Sequence, residues 1–257
     1  MNARHAIVTG ASSGIGLSVT RQLADSGFSV TMCARDGVRL ASAADELRQA
    51  GADVAPVVAD VTRPDDVRAL VTQAVEEFGP ITTLVNNAGR NGGGKTAELS
   101  NELWDEVIAA NLTSVFYVTR AVLDSGGILD SGGQIINIAS TAGKQGVVLA
   151  APYSASKHGV VGFTKALGKE LAQQGVTVNA VCPGYVETPM AARVRKGYAE
   201  AWDTSEEEIL TMFEAKIPLG RYSTPDEVAS MVTYLTSPGA ASVTAQAINV
   251  CGGLGNY

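Results

Sequence analysis

Short apolar runs, rich in β-branched residues, alternate along the chain with stretches of helical periodicity. Seven runs predict strands, at residues 5–9, 29–33, 53–58, 82–86, 134–139, 176–182 and 247–250. The helical stretches between them begin near Gly14, Gly37, Pro64, Asn101, Pro152 and Pro225. Near-continuous apolar strands separated by helices are typical of a parallel sheet that is buried on both faces. The pattern therefore predicts an α/β protein with a Rossmann-type, doubly wound sheet of seven parallel strands and helices on both faces.

The domain organisation is simple. No repeat, low-complexity tract or linker divides the chain, so we expect a single domain over residues 1–257. Residues 190–218 form an insertion with two helical patterns, the second capped by Thr204 or Ser205, and their position predicts a substrate lid. Four large side chains of this lid either line an apolar chamber or form ordinary core: Tyr198, Trp202, Met212 and Phe213.

Composition and charge narrow the class of protein. No apolar run approaches the roughly 20 residues that cross a bilayer, so we expect no membrane partner. The first strand-like run begins at His5, which leaves no room for a targeting peptide. The net charge of −7 argues against nucleic-acid binding. Cys33, Cys182 and Cys251 lie far apart and lack metal-ligand spacing, so we expect buried thiols, no metal and a cytoplasmic location.

A glycine-rich turn follows the first strand. TGASSGIG places Gly10, Gly14 and Gly16 before a helix, where the backbone can turn tightly and approach a pyrophosphate. The spacing differs from the G-x-G-x-x-G fingerprint, but its place at the first strand–helix junction favours dinucleotide binding over a merely tight turn. The expected cofactor contacts in this turn also include Ser12, Ser13 and Ile15.

The end of the second strand indicates which dinucleotide binds. An acidic residue there would accept hydrogen bonds from a ribose 2′-hydroxyl, but this chain has Arg35 after Ala34. A guanidinium suits a 2′-phosphate, so we expect NADPH/NADP+ as cofactor, unless Arg35 is only a solvated loop charge. Asp36 is expected to face outward as the cap of the next helix.

Later strands also end in polar or small residues. Asp60, beside Val61, is placed to receive an adenine amino group. Asn87 is placed to bridge neighbouring strands, while Ala88 and Gly89 leave room for the cofactor ribose. Successive strand ends of a parallel sheet trace the crevice in which such sheets bind ligands.

A tyrosine, a lysine and a serine indicate proton transfer. Tyr153 and Lys157 lie four residues apart in a predicted helix and therefore on one face. An ammonium beside a phenol stabilises the phenolate, and Ser140 at a strand end is placed to hold a carbonyl oxygen. Such a set suits reduction of a ketone, although Tyr-x-x-x-Lys pairs also occur in ordinary helices. Asn111, inside a helical stretch, is either a satisfied core amide or a kink that holds water.

Together these motifs resemble the short-chain dehydrogenase/reductase family over essentially the full length. The matching pieces are TGASSGIG, NNAG, Asn111, Ser140, YSASK and PGYVETPM. The resemblance implies a catalytic tetrad of Asn111, Ser140, Tyr153 and Lys157. In that family the tyrosine donates the proton and the serine orients the carbonyl. The lysine binds the nicotinamide ribose and lowers the tyrosine pKa, and the asparagine holds a relay water. The resemblance also implies nicotinamide contacts from Pro183, Gly184, Val186 and Thr188.

The similarity is closer still to the ketoreductases of aromatic (type II) polyketide synthases, in residues 86–107, 138–148, 151–172 and 243–257. It implies NADPH-dependent reduction of one ketone, usually at C9, of a polyketide on an acyl carrier protein, and a homotetramer. A 3-oxoacyl-carrier reductase of fatty-acid synthesis and a non-catalytic NADP-binding scaffold are the alternatives. Where relatives have Pro-Gly-Gly, this chain has Asn91-Gly92-Gly93, so the alcohol configuration stays open.

The expected substrate wall surrounds the serine and includes the lid. It consists of Asn91, Gly92, Gly93, Ser140, Thr141, Gln145, Val147, Tyr153 and Tyr198. Because carrier proteins are generally acidic and this chain carries −7, docking needs a local basic patch. Two groups of cations are candidates for the phosphate of the carrier's phosphopantetheine arm. Near the cofactor they are Arg35, Arg39, Arg63 and Arg90, and on the lid they are Arg193, Arg195 and Lys196.

Overall fold

One parallel sheet forms the centre of the computed structural model, which describes residues 4–255 and 257. The expected span of 1–257 also includes residues 1–3 and 256, which lie outside the described residues. The strands are β1 Arg4–Thr9, β2 Phe28–Ala34, β3 Val54–Val58, β4 Thr83–Asn86, β5 Gln134–Ile138, β6 Thr177–Pro183 and β7 Ala247–Val250. Their order is β3-β2-β1-β4-β5-β6-β7, and every pair is parallel. The predicted seven-stranded sheet is confirmed.

Helices cover both faces of the sheet. They are α1 Gly14–Asp25, α2 Gly37–Gln49, α3 Pro64–Phe78, α4 Asn101–Ile108, α5 Ser114–Asp124, α6 Gly127–Ser131, α7 Ala151–Leu171, α8 Pro189–Trp202, α9 Glu206–Glu214 and α10 Pro225–Leu235. Because strand side chains alternate between faces, β1 contributes to two separate cores. Val8 packs in a cluster with Val19 of α1, and Ile7 packs in another with Leu70 of α3. This arrangement confirms the doubly wound fold.

The strand order creates the crevice that holds the site. β1 lies between β2 and β4, so the chain winds away from β1 in both directions. The loops that follow β1 and β4 diverge at the carboxyl ends of these strands, which is where open α/β sheets bind ligands. The glycine-rich turn and NNAG occupy these two loops.

The long helical stretch that begins at Asn101 is interrupted. A π-helical turn, Ala109–Thr113, separates α4 from α5, and Asn111 is fully buried within it. Single π turns inside helices occur frequently at functional sites. The irregularity expected at Asn111 takes the form of this π turn.

The same stretch, Asn101–Asp124, is long and apolar enough to cross a membrane by length and composition, with a mean hydropathy of 1.2 in its 18-residue window. The search of the sequence for a continuous apolar run did not identify this stretch as a possible membrane span. In the fold, Val107, Val115 and Val122 of this stretch are buried. Core helices of layered α/β proteins pass the same test, so the expected absence of a membrane partner stays a prediction.

The insertion at residues 190–218 forms the helices α8 and α9. Thr188 caps α8, and Asp203 ends it in a left-handed conformation with φ 52°. Ser205, rather than Thr204, caps α9 through a capping box with Glu208. Together these helices contribute to a small apolar cluster that is separate from the main cores.

Candidate active site

The glycine-rich turn packs directly on the loop after β4. A Cβ atom on Gly16 would lie 2.3 Å from the carbonyl oxygen of Gly10 and 2.5 Å from Nδ2 of Asn87. The Asn87 amide donates hydrogen bonds to the carbonyl oxygens of Thr9 at 2.9 Å and of Gly10 at 3.2 Å. The predicted bridge between neighbouring strands is thus present, and it requires the absence of a side chain at position 16.

The N-terminus of α1 opens into this crevice. Ser13 occupies the cap position in an extended conformation, and its side chain makes no capping hydrogen bond. The first N–H groups of the helix and the positive end of its dipole are therefore available to an anion. This arrangement fits a dinucleotide pyrophosphate, as expected for Ser12, Ser13, Gly14 and Ile15.

Arg35 stands at the carboxyl end of β2 with its side chain 71% exposed. Its guanidinium lies 3.9 Å from a carboxylate oxygen of Asp60, too far for a tight pair. Burial opposes ionisation of Asp60, but hydrogen bonds from Thr62 and the charges of Arg35 and Arg63 outweigh it, so the Asp60 pKa is lowered. Because the Arg35 guanidinium is exposed and not held in a tight ion pair, it is free to turn toward a 2′-phosphate. Asp36 accepts a hydrogen bond from the Arg39 N–H at 3.0 Å and caps α2 as predicted.

One cavity of about 650 Å³ brings most of the predicted site together. Its wall includes the whole expected tetrad, Asn111, Ser140, Tyr153 and Lys157, and the whole expected substrate wall, Asn91, Gly92, Gly93, Thr141, Gln145, Val147 and Tyr198. The expected cofactor residues in the wall are Ile15, Asn87, Gly89, Pro183, Gly184, Val186 and Thr188. The others, Gly10, Ser12, Ser13, Gly14, Gly16, Arg35, Asp60, Val61 and Ala88, lie outside it. These residues belong to the glycine-rich turn, to the segments after β2 and β3 and to the loop after β4.

The serine hydroxyl is oriented for donation. Ser140 follows β5, and its Oγ accepts a hydrogen bond from the Ala142 N–H at 3.0 Å. That bond uses an acceptor site of the hydroxyl, so its proton stays available to the Tyr153 oxygen or to a substrate carbonyl. A carbonyl oxygen beside Tyr153 can therefore accept a hydrogen bond from Ser140.

Burial dominates the electrostatics of the tyrosine and the lysine. It raises the pKa of Tyr153, and the Ser140 hydroxyl acts in the opposite direction. Burial also lowers the pKa of Lys157 to about 8. The Lys157 ammonium lies 5.8 Å from the centroid of the Tyr153 ring and donates to the carbonyl oxygen of Ile138 at 2.8 Å. Lys157 is not among the groups that shift the Tyr153 pKa in this structure, so the expected lowering of that pKa by Lys157 stays a prediction.

The Asn111 side chain clamps two parts of the site together. Its Oδ1 accepts the Arg90 N–H at 2.8 Å, and its Nδ2 donates to the Arg90 carbonyl at 3.0 Å and to Ser156 Oγ at 3.1 Å. Ser156, fully buried, donates in turn to the Tyr153 carbonyl at 2.7 Å. Both amide protons are thus used, and only Oδ1 keeps acceptor capacity for a water. Sequence reasoning missed Ser156, whose one signal was its place inside YSASK.

Two loops meet beside the catalytic residues. The Gly94 N–H donates to the Leu149 carbonyl at 2.8 Å, and a Cβ on Gly93 would lie 1.9 Å from that oxygen. Leu149 adopts φ 59°, which is uncommon for a residue with a side chain. On the lid side, the Tyr198 hydroxyl donates to the Val148 carbonyl. The loop that contains residues 148 and 149 therefore ties the lid to the Asn91-Gly92-Gly93 segment.

Aromatic side chains form one side of the cavity. Tyr185 stacks on Phe213 and on Tyr222 with ring centroids 4.7 and 5.2 Å apart, and Tyr198 contacts Trp202 edge-on at 4.8 Å. All five line the cavity, while Phe213 also belongs to the small lid core. The aromatic residues of the lid thus line the chamber, and Phe213 is in addition part of a core, so both interpretations apply. Met212 is the exception, because its side chain is 45% exposed and lies outside the cavity wall.

The cations expected to dock a carrier are mostly paired with carboxylates. Near the cofactor the pairs are Arg39–Asp36, Arg63–Asp66 and Arg90–Glu106, while Arg35 lies 3.9 Å from Asp60. On the lid Arg195 binds both carboxylate oxygens of Glu187 through its two terminal guanidinium nitrogens. Such pairs lower the local positive charge. The three cysteines are free and buried, and the described residues contain no cluster of three or more potential metal ligands.

A family model described as short chain dehydrogenase matches residues 4–199. The chain belongs to the short-chain dehydrogenase family. This short-chain dehydrogenase is 62% identical over 256 residues to a Streptomyces virginiae protein named as a ketoacyl reductase of the monensin polyketide synthase, covering 99% of this chain and 98% of that protein.

A solved structure is similar over nearly the same length. The crystal structure of a variant actinorhodin polyketide ketoreductase with NADPH has a TM-score of 0.97 and 59% identity to this short-chain dehydrogenase, covering 99% of this chain and 98% of that one. A 3-oxoacyl-[acyl-carrier-protein] reductase from Vibrio cholerae is more distant, at 36% identity over 254 residues, with coverage of 99% and 98%.

Proposed function

We propose that this protein is an NADPH-dependent ketoreductase of antibiotic biosynthesis. It reduces one ketone, the C9 carbonyl, of an aromatic polyketide intermediate carried on an acyl carrier protein, and yields an alcohol. The observation that carries the proposal is the cavity whose wall contains both Ser140, Tyr153 and Lys157 and the aromatic side chains of the lid region. The identity to named polyketide synthase reductases, well above that to the 3-oxoacyl reductase, supports it. We further expect a cytoplasmic homotetramer.

The residues present fit a dinucleotide with a 2′-phosphate. The open N-terminus of α1 would hold the pyrophosphate, and the exposed Arg35 would hold the 2′-phosphate. Gly89, Val186 and Thr188 would border the nicotinamide end, where they line the cavity. The bound nicotinamide supplies hydride to the carbonyl carbon.

The side chains of this protein supply the proton. Ser140 donates a hydrogen bond to the carbonyl oxygen and holds it beside the Tyr153 hydroxyl. Tyr153, whose pKa burial raises further above neutrality, donates its proton to that oxygen as negative charge develops there. Lys157, with a pKa of about 8, stabilises the phenolate left behind. Asn111 and Ser156 hold the helix that carries Tyr153 against the loop after β4.

A comparison of two ketones tests the proposal. NADPH oxidation should be faster with the bicyclic ketone trans-1-decalone than with a short acetoacetyl thioester, because the roomy aromatic cavity suits a fused-ring substrate. Preference for the short thioester would instead identify a fatty-acid-type reductase, and no oxidation with either ketone would identify a non-catalytic scaffold. Product analysis from a reconstituted synthase, with and without this protein, then tests reduction at C9.

Arg35→Ala should shift the cofactor preference. We expect kcat/KM for NADPH to fall about tenfold or more, since a charge-assisted bond to phosphate is worth roughly 1.5–3 kcal/mol. The value for NADH, which lacks the phosphate, should change little. Arg68→Ala is the matched control, because Arg68 is 69% exposed and pairs with Asp65 on α3. Equal losses with both cofactors would contradict the assignment of Arg35.

A further inference from the structure

The wall of the active-site cavity has an unusual charge. Within residues 4–255 and 257 the wall contains four cationic residues, Arg90, Lys157, Arg193 and Lys216, and no aspartate or glutamate. The whole chain carries −7. A concave site lined by one sign of charge concentrates ligands of the opposite sign, even on a protein of unfavourable net charge. The cavity is therefore built to receive something anionic.

Two of the four cations already have partners. Lys157 is buried and donates to the Ile138 carbonyl beside Tyr153, so it belongs to the catalytic group. The Arg90 guanidinium pairs with Glu106 and donates to the Asn91 carbonyl at 3.2 Å. Lys157 and Arg90 are thus already engaged by other residues of the protein.

Arg193 and Lys216 are differently placed. Arg193 lies on α8 and Lys216 lies two residues after the end of α9, so both are exposed cations of the lid segment in the cavity wall. Neither forms an ion pair with a carboxylate of the described chain, whereas the neighbouring Arg195 is neutralised by Glu187. The Lys216 ammonium lies 5.1 Å from the centroid of the Phe213 ring, at the edge of the aromatic wall.

We propose that Arg193 and Lys216 form the site for the phosphate of the carrier's phosphopantetheine arm. This inference rests on the proposed function and places the contact on the lid rather than at Arg35, Arg63 or Arg90. A guanidinium and an ammonium together offer eight N–H donors, which suit phosphate oxygens. The uncharged remainder of the arm and the polyketide then lie along the neutral and aromatic wall, toward Tyr153. The acidic carrier itself stays outside, where its charges are screened beyond about 8 Å.

Binding of the arm alone tests the site. Calorimetry on the NADPH-loaded protein should give 4′-phosphopantetheine about five- to tenfold tighter binding than pantetheine, which differs only in the phosphate. Loading with NADPH keeps the arm phosphate away from the cofactor's own phosphate sites. In the Arg193→Gln/Lys216→Gln double variant the ratio of the two affinities should fall close to one. Raising salt from about 50 to about 500 mM should also shrink the ratio in the parent protein.

A matched double variant controls for net charge. Arg68→Gln/Lys169→Gln removes two exposed cations that lie outside the cavity wall, and it should keep the parent ratio. The inference is overturned if the parent shows no preference for the phosphorylated arm, or if the lid double variant keeps it. Reduction of trans-1-decalone, which has no phosphate, is measured separately. Its absence from the parent protein refutes the ketoreductase proposal, whereas its presence together with an unchanged ratio refutes only the lid site.

Discussion

Tyr153→Phe should reduce kcat for trans-1-decalone about 10³-fold, within the 10²–10⁴-fold range of general acid catalysis. The phenylalanine keeps the ring that packs in the cavity and removes the hydroxyl that donates the proton. Initial rates of NADPH oxidation at saturating ketone measure kcat, and fluorescence titration checks that NADPH still binds. A kcat within about threefold of the parent, with NADPH bound, would refute the role of this hydroxyl.

The direction of the Tyr153 pKa shift gives a further check on the same residue. Burial raises this pKa above its ordinary value of 10, so the phenol stays protonated across neutral pH. Ketone reduction, which needs the phenol, should therefore not decline through loss of the Tyr153 proton as pH rises through neutrality. Oxidation of the alcohol needs the phenolate, so its rate in the parent enzyme should increase with pH.

Gly16→Ala should destabilise the fold and weaken cofactor binding together. Its Cβ would lie 2.3 Å from a backbone oxygen of Gly10, and backbone cannot move aside as a flexible side chain does. Relief requires separating the glycine-rich turn from Asn87, which breaks the bridge to β1. Overpacking costs about 1–3 kcal/mol and more against backbone, so we expect about 3 kcal/mol or more of lost stability. Denaturant unfolding measures that loss, and NADPH titration measures the affinity.

Gly197→Ala is the matched control for the unfolding measurement. Gly197 lies within α8, and a Cβ there would meet nothing within 4 Å. Alanine favours helix over glycine by up to about 1 kcal/mol, so this variant should be as stable as the parent or more stable. If Gly16→Ala unfolds at the same denaturant concentration as Gly197→Ala, the close approach at position 16 is not a constraint.

The sheet was predictable because buried parallel strands are recorded in the sequence as continuous apolar runs. Every strand end lies within one residue of its predicted position. Tyr153 and Lys157 were predictable for a similar reason, since a helix fixes the relation between residues four apart. The short helix α6 was missed, because five residues between glycines carry no usable periodicity.

Interactions between distant elements were beyond the sequence pattern. Ser156 acquires its role only when the π turn brings Asn111 to it from 45 positions away. Whether an arginine is paired depends on side-chain conformation, so Arg195 and Arg193, two positions apart on α8, looked equivalent as candidates. The sign of the Tyr153 pKa shift depends on how completely the fold removes water from the phenol, which no local motif records.

The hydrogen bond from Tyr198 to Val148 has a consequence for turnover. This bond joins α8 to the loop that packs on Gly93, so the roof and the opposite wall of the chamber are fastened to each other. We expect a rigid fused-ring product to leave beneath α8 more easily when that hydrogen bond opens, so that its release depends on movement of the lid.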